Sequence, residues 1–260
     1  MAMNCKIPVL IVGTGGLARS LVNALMSVNY PILGVVSRAS TEALQFIHSC
    51  NLKHFAYKEE ITTRCICFLA VPDQIIPAAA QNLNLSEGSI LIHCAGSVDM
   101  QTLSEFSYDH GVFYPVQTFH PSKTVGFSGL NVCLEASSVN ALKQLEFLSN
   151  ELSCNVLILD SQKRMMLHIS AIFACNFSNL MYSISEELLN KHNIEFSILY
   201  PLILETAHKI LHFSPTNSQT GPASRNDLTT IAKHINILDG KEKAVYKMLS
   251  DIIRLKHDKV

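Results

Sequence analysis

The chain has 260 residues, 48% of them hydrophobic and 16% charged, with a formal net charge of -1. This length and apolar content suffice for a buried core in one large domain or two modest ones. A near-neutral charge, with no basic cluster interleaved with aromatics, gives no footing for nucleic acid or an anionic membrane surface.

Short apolar runs alternate with helical patterns through the first half, as in a parallel sheet with crossover helices. Strands are expected over 8–12, 32–37, 66–70, 89–93, 112–114, 131–135 and 156–159. Helices are expected over 17–28, 41–50, 75–83 and 140–152. The first apolar run, 7–12, is short and leads straight into glycines, so it reads as a buried strand rather than a leader. No uninterrupted apolar stretch is long enough to span a membrane. The eight cysteines form no CxxC pair and no Cys/His cassette. Free thiols in a reducing compartment, the cytoplasm, are expected, and no metal. At Asp160 the strand pattern stops. One long helix over 161–190, a second over 196–212, a polar loop over 214–226 and helices over 227–238 and 241–255 follow.

The first strand runs into Gly13-Thr14-Gly15-Gly16-Leu17-Ala18, a GxGxxA pattern between an apolar strand and an amphipathic helix. Gly13 permits the tight turn, Gly15 a close approach of a pyrophosphate, and Ala18 close helix-on-strand packing. The helix start then offers unpaired N–H groups to phosphate. The second strand ends in Ser37 and Arg38, followed by Ser40, where an NAD site usually carries Asp or Glu for the ribose. A guanidinium and hydroxyls suit a 2′-phosphate, so NADP is the expected cofactor. The alternative role for Ser40 is to cap the next helix. Ala70, Val71 and Pro72 end another strand at the edge where such sheets bind ligands, with Asp73 either near ligand or capping a helix. Gly96 and Ser97 end a further strand, placed for the nicotinamide ribose. The fold class is therefore α/β: a Rossmann-type, mostly parallel sheet domain over 1–160, then an all-helical domain over 161–260 opened by one long helix.

The segments GTGGLA, LAVPD, ILIHCAGS, FYPVQTF, RMMLHISAIFACNFSN, PLILETAHK and QTGPASRND span nearly the whole chain. On them the chain resembles a family of Rossmann-like NADP oxidoreductases with an appended helical domain of unknown function. The N-terminal half is also similar to pyrroline-5-carboxylate reductase, ketopantoate reductase and the β-hydroxyacid dehydrogenases. The resemblance implies NADP binding, hydride transfer, a long helix that helps build the active site, and a homodimer formed through the helical domains. It supplies no substrate.

At 100° per residue, Arg164, His168, Cys175, Asn179, Tyr182 and Glu186 share one narrow face of the long helix, with Asn176 at its margin. The remaining circumference is largely apolar, which reads as a central, buried helix. His168 is the candidate general acid toward a carbonyl or imine. Asn176 and Asn179 are candidates for orienting the substrate or the carboxamide, and Arg164 for holding the substrate. Against the related enzymes, His168 occupies the position of their catalytic Lys and Ile172 that of an Asn; Asn176 matches a further Asn of ketopantoate reductase. This puts Lys-assisted ketone reduction in doubt. Gln117, Thr118 and His120 follow a strand and are candidates for the nicotinamide side, and Arg225, in a Gly/Pro-fixed loop, for a carboxylate substrate. The leading reading is an NADP(H)-dependent oxidoreductase of a small polar metabolite. A binding protein without turnover and a hydride exchange between NADP and a deazaflavin are the alternatives. Convergence of Arg164, His168, Asn179 and His120 on one point would favour the enzyme; dispersal into separate internal pairs would favour the binding protein.

Overall fold

The strands form where apolar runs are buried on both faces, and β1 (Val9–Val12) shows why. Its four residues are all buried. Val9 and Ile11 enter the core beneath one layer of helices, Leu10 and Val12 the core on the other side, as the two-residue period of a strand requires. The computed structural model describes residues 6–257. From β1 the chain continues through α1 (Gly16–Ser27), β2 (Ile32–Val36), α2 (Thr41–Ser49), β3 (His54–Phe55), β4 (Glu60–Ile61) and β5 (Ile66–Leu69). Next come α3 (Ile76–Gln81), β6 (Asn84–Leu85), β7 (Ile90–His93), β8 (Asp109–Pro115), β9 (Asn131–Ala136), α4 (Val139–Glu151) and β10 (Asn155–Ile158).

Eight strands form one sheet in the order β10-β9-β8-β7-β5-β1-β2-β3, and β4 and β6 pair separately. All pairs are parallel except β8 with β9. From β1 the chain moves outward through β2 and β3, then returns to β5 on the other side of β1. The strand order therefore reverses between β1 and β5, whose C-terminal ends flank the crevice where sheets of this kind bind ligands. Every strand and helix expected in this half forms, with ends shifted by a few residues. The short β3, β4 and β6 are additional; two-residue strands carry no periodicity to read.

Beyond β10, α5 (Ser161–Ala171) is capped by Asp160, whose carboxylate accepts from Lys163 N–H at 2.8 Å. The expected unbroken α-helix is interrupted: Ile172–Phe177 form a π turn before α6 (Ser178–Asn190). A π turn widens the ladder to i→i+5, so the face drawn from Arg164 to Glu186 does not run straight through it. Nor is this helix buried within the chain. Met166 is 58% exposed and Leu180 50%, while Arg164 is the buried side chain of α5. Apolar sequence all round a helix demands cover, and these apolar side chains are exposed among the described residues.

The chain divides into two compact units between Ala174 and Cys175, later than the expected boundary at 160. The reason is that α5 is tied to the sheet unit. Ser161 donates to Glu135 on β9 and accepts from Met100 N–H, and Leu167 packs with Tyr114 and Cys133. The second unit contains α6, α7 (Tyr200–Lys209), α8 (Leu228–Ile237) and α9 (Gly240–His257). Asp227 caps α8, accepting from Thr230 N–H and Oγ1–H. Among the described residues no helix is long and apolar enough to cross a membrane.

Candidate dinucleotide and active site

Gly13 leaves β1 with φ +111°, and a Cβ there would lie 2.5 Å from the Ala70 carbonyl oxygen at the end of β5. Only glycine allows both the dihedral and this approach of the two strand ends. Gly15 precedes the first turn of α1 without a side-chain cap, and nothing lies within 4 Å of where its Cβ would be. The orphan N–H groups of α1 thus begin beside open space. Ala18 is fully buried, while Gly16 and Leu17 carry the helix start. Arg19, a residue that the motif does not single out, donates from Nε to the Thr14 carbonyl at 2.9 Å and braces the loop.

A cleft of about 400 Å³ opens beside this loop, lined among others by Thr14, Ser37, Arg38, Ser40 and Tyr57, with Val71 and Pro72 opposite. Ser37 is buried and its hydroxyl has no partner among the described residues. Arg38 is exposed. Ser40 does cap α2, accepting from Ala43 N–H at 3.2 Å, which leaves its hydroxyl proton free to donate elsewhere. Tyr57 was not foreseen from the sequence, because a lone Tyr in a loop has no motif around it. Burial pushes its phenol pKa up, and the neighbouring Arg38 pulls it partly back.

At the ends of β5, β7 and β8, two pairs of side chains form. Ser97 donates to the Asp73 carboxylate, so Asp73 holds the neighbouring strand end instead of capping α3. Tyr114 Oη lies 3.1 Å from His168 Nδ1, with the rings edge to face at 78°. The Gly96 backbone closes against both: a Cβ there would fall 2.7 Å from His168 Cγ and Nδ1 and 2.8 Å from Tyr114 Cζ. Burial raises the Tyr114 pKa, with contributions from Cys133 and Asp73, and Arg164 opposes them.

Of the groups expected to converge, Arg164 and His120 have separate partners within the sheet unit. Arg164 is 1% exposed and donates to Glu135, to the Val98 carbonyl and to Ser161. It is an internal strut, with no open face for a substrate, because the apolar surroundings of α5 leave Glu135 as its counter-charge. His120 is exposed, with Nδ1 2.7 Å from Ser122 Oγ in its own loop. It lines a cavity of about 380 Å³ with Gln117, Thr118 and Lys123. Asn176 and Asn179 are exposed in the second unit, in and just after the π turn. Arg225 is exposed there too, beside the α8 cap Asp227. Of the catalytic candidates, the sheet unit brings His168 alone to the strand ends.

Over nearly its whole length the chain matches a protein of Bacteroides fragilis provisionally named an NADP oxidoreductase. Identity is 32% and the TM-score 0.86, covering 96% of this chain and 98% of that one. The chain belongs to this NADP oxidoreductase family. Residues 8–96 of the oxidoreductase match the family described as NADP oxidoreductase, coenzyme F420-dependent, and residues 130–253 match a domain of unknown function, DUF2520. A Thermotoga maritima protein shares the fold at TM-score 0.71 and 19% identity, covering 96% of this chain and 98% of that one. So does 1-pyrroline-5-carboxylate reductase of Streptococcus pyogenes, at TM-score 0.62 and 14% identity, covering 98% and 99%. No curated protein matches the oxidoreductase in sequence.

Proposed function

We propose that this oxidoreductase uses NADPH to reduce a carbonyl or imine carbon of a small polar metabolite, with His168 as the group that donates to the substrate oxygen or nitrogen. The observation that carries the reading is the His168–Tyr114 pair, closed against Gly96 at the same sheet edge as the glycine loop. The residues fit the cofactor: open space before α1, the unpartnered Ser37 hydroxyl and the exposed Arg38 suit pyrophosphate and 2′-phosphate. When bound, NADPH supplies the hydride. Gly13 to Ala18 would hold the pyrophosphate, and Ser37, Arg38 and Ser40 the 2′-phosphate. Val71, Pro72, Gly96 and Ser97 would line the path to the nicotinamide, with Gln117 and His120 bordering the neighbouring loop cavity. Asn176, Asn179 and Arg225 remain candidates for substrate contacts from the helical unit.

Titration calorimetry and turnover test this together. NADPH should bind far more tightly than NADH, and Arg38→Ala should weaken NADPH about 10- to 100-fold, the equivalent of a charge-assisted hydrogen bond. His168→Ala should cut turnover of cyclic imine or ketone probes at least 100-fold with NADPH affinity kept. Equal NADH binding overturns the cofactor assignment, and undiminished turnover overturns the role of His168. A binding protein without turnover is the second reading, favoured by the internal partners of Arg164 and by the separate loop partner of exposed His120. Deazaflavin exchange draws only on the family match over residues 8–96, which covers the dinucleotide half and not the second substrate's side. The described cysteines are free thiols, which suits a reducing compartment.

A further inference from the structure

Tyr114 lies in the FYPVQTF segment but was given no role there, yet it touches the one histidine the proposed reaction uses. It is 9% exposed and packed with Val112, Met100, Cys133 and Leu167. A phenol so placed needs an acceptor for its proton, and the partner recorded for it is His168 Nδ1 at 3.1 Å. A neutral imidazole has one nitrogen that donates and one that accepts, and the bond at one nitrogen decides which is which.

We infer that Tyr114 is a positioning residue for the reduction: its hydroxyl donates to His168 Nδ1 and so holds the neutral ring in the tautomer that carries its proton on Nε2, making Nε2–H a hydrogen-bond donor that polarises the substrate carbonyl or imine, while the proton added to the product comes from water. The inference rests on the proposed role of His168. Burial keeps the phenol protonated, since its pKa is raised, and the Cys133 and Asp73 groups nearby work in the same direction against Arg164. A side chain at Gly96 would collide with His168 Cγ and Nδ1 and with Tyr114 Cζ, so glycine at this position is what lets the ring and the phenol stand together. A ring held this way offers the same nitrogen at every turnover and has no tautomer to sort before reaction. Placing a proton on Nδ1 would require the hydroxyl to turn from donor to acceptor and would leave its own buried proton without a recorded partner, which disfavours that form.

Long-range proton–nitrogen NMR on histidine-labelled full chain reads the tautomer directly, with His168→Gln identifying the signal. Neutral His168 should show the Nε2–H pattern, and Tyr114→Phe should convert it to a mixture of both tautomers. NADPH affinity should be unchanged in that variant, and turnover of 2-methyl-1-pyrroline about tenfold lower, the worth of one hydrogen bond. An Nδ1–H pattern in the unmodified chain overturns the inference without any variant, and so does an unaltered pattern in Tyr114→Phe. If the tautomers behave as expected but His168→Gln turns over normally, the part of the inference that concerns the substrate falls with the proposed role of His168, while the hold of Tyr114 on the ring stands.

Discussion

His93 ends β7 fully buried, accepts from Ala95 N–H at Nδ1, and leaves Nε2 without a partner among the described residues. Burial, helped by the charge of Arg164, pushes its pKa down to about 3 from 6.5. The folded protein therefore holds His93 neutral where the unfolded chain protonates it. Its contribution is fully present above pH 6.5 and is lost as pH falls toward 3, at roughly 1.4 kcal/mol per pH unit. Urea unfolding at pH 7.0 and 4.5 should show a loss that is about 2–3 kcal/mol smaller in His93→Asn than in the unmodified chain. An equal loss in both would mean that His93 charges inside the fold. A residue's role was legible in the sequence where a local turn motif sets it, as at Gly13. It was not legible at His93, Tyr57 or Tyr114, where the neighbours come from other strands and loops.

Elements were read well where their starts carry local hydrogen-bonding chemistry. Ser138 caps α4, accepting from Ala141 N–H at 3.0 Å, and also bonds Asp109 at the start of β8. Ser138→Ala should cost about 1 kcal/mol in chemical unfolding, with Ser138→Asn closer to the unmodified chain. A change within error would mean that water replaces the cap without loss. Ser40 and Asp160 do the same for α2 and α5. The π turn at Ile172–Phe177 had no such sign, because its residues have the apolar composition of ordinary α-helix. Its effect on reasoning is large: it breaks the 100° projection that grouped Asn179, Tyr182 and Glu186 with His168.

For the whole molecule, the uneven distribution of the core matters most. The sheet unit has continuous clusters on both faces of the sheet. From Cys175 onward, the buried hydrophobic residues among those described are Ala223 and Ile231. Ile198, Leu202, Leu204 and Leu211 are 59% to 74% exposed, and apolar surface of that extent marks an interface. We propose that a second copy of the chain covers it, forming a homodimer through the helical unit. Sedimentation should give a dimer at micromolar concentration, and Leu202→Glu should shift it toward monomer and lower the melting temperature. A monomer with unchanged stability would rule this interface out.

The sequence by itself determined the mostly parallel sheet, its longer strands and the glycine turn that ends β1. These rest on short-range patterns of apolar period, turn residues and motif spacing. The tertiary structure alone decided that Arg164 is an internal strut, that α5 belongs with the sheet, and that Tyr114 and Gly96 pack beside His168. Those outcomes depend on contacts between residues tens of positions apart, where burial sets which polar groups pair and which remain free for chemistry.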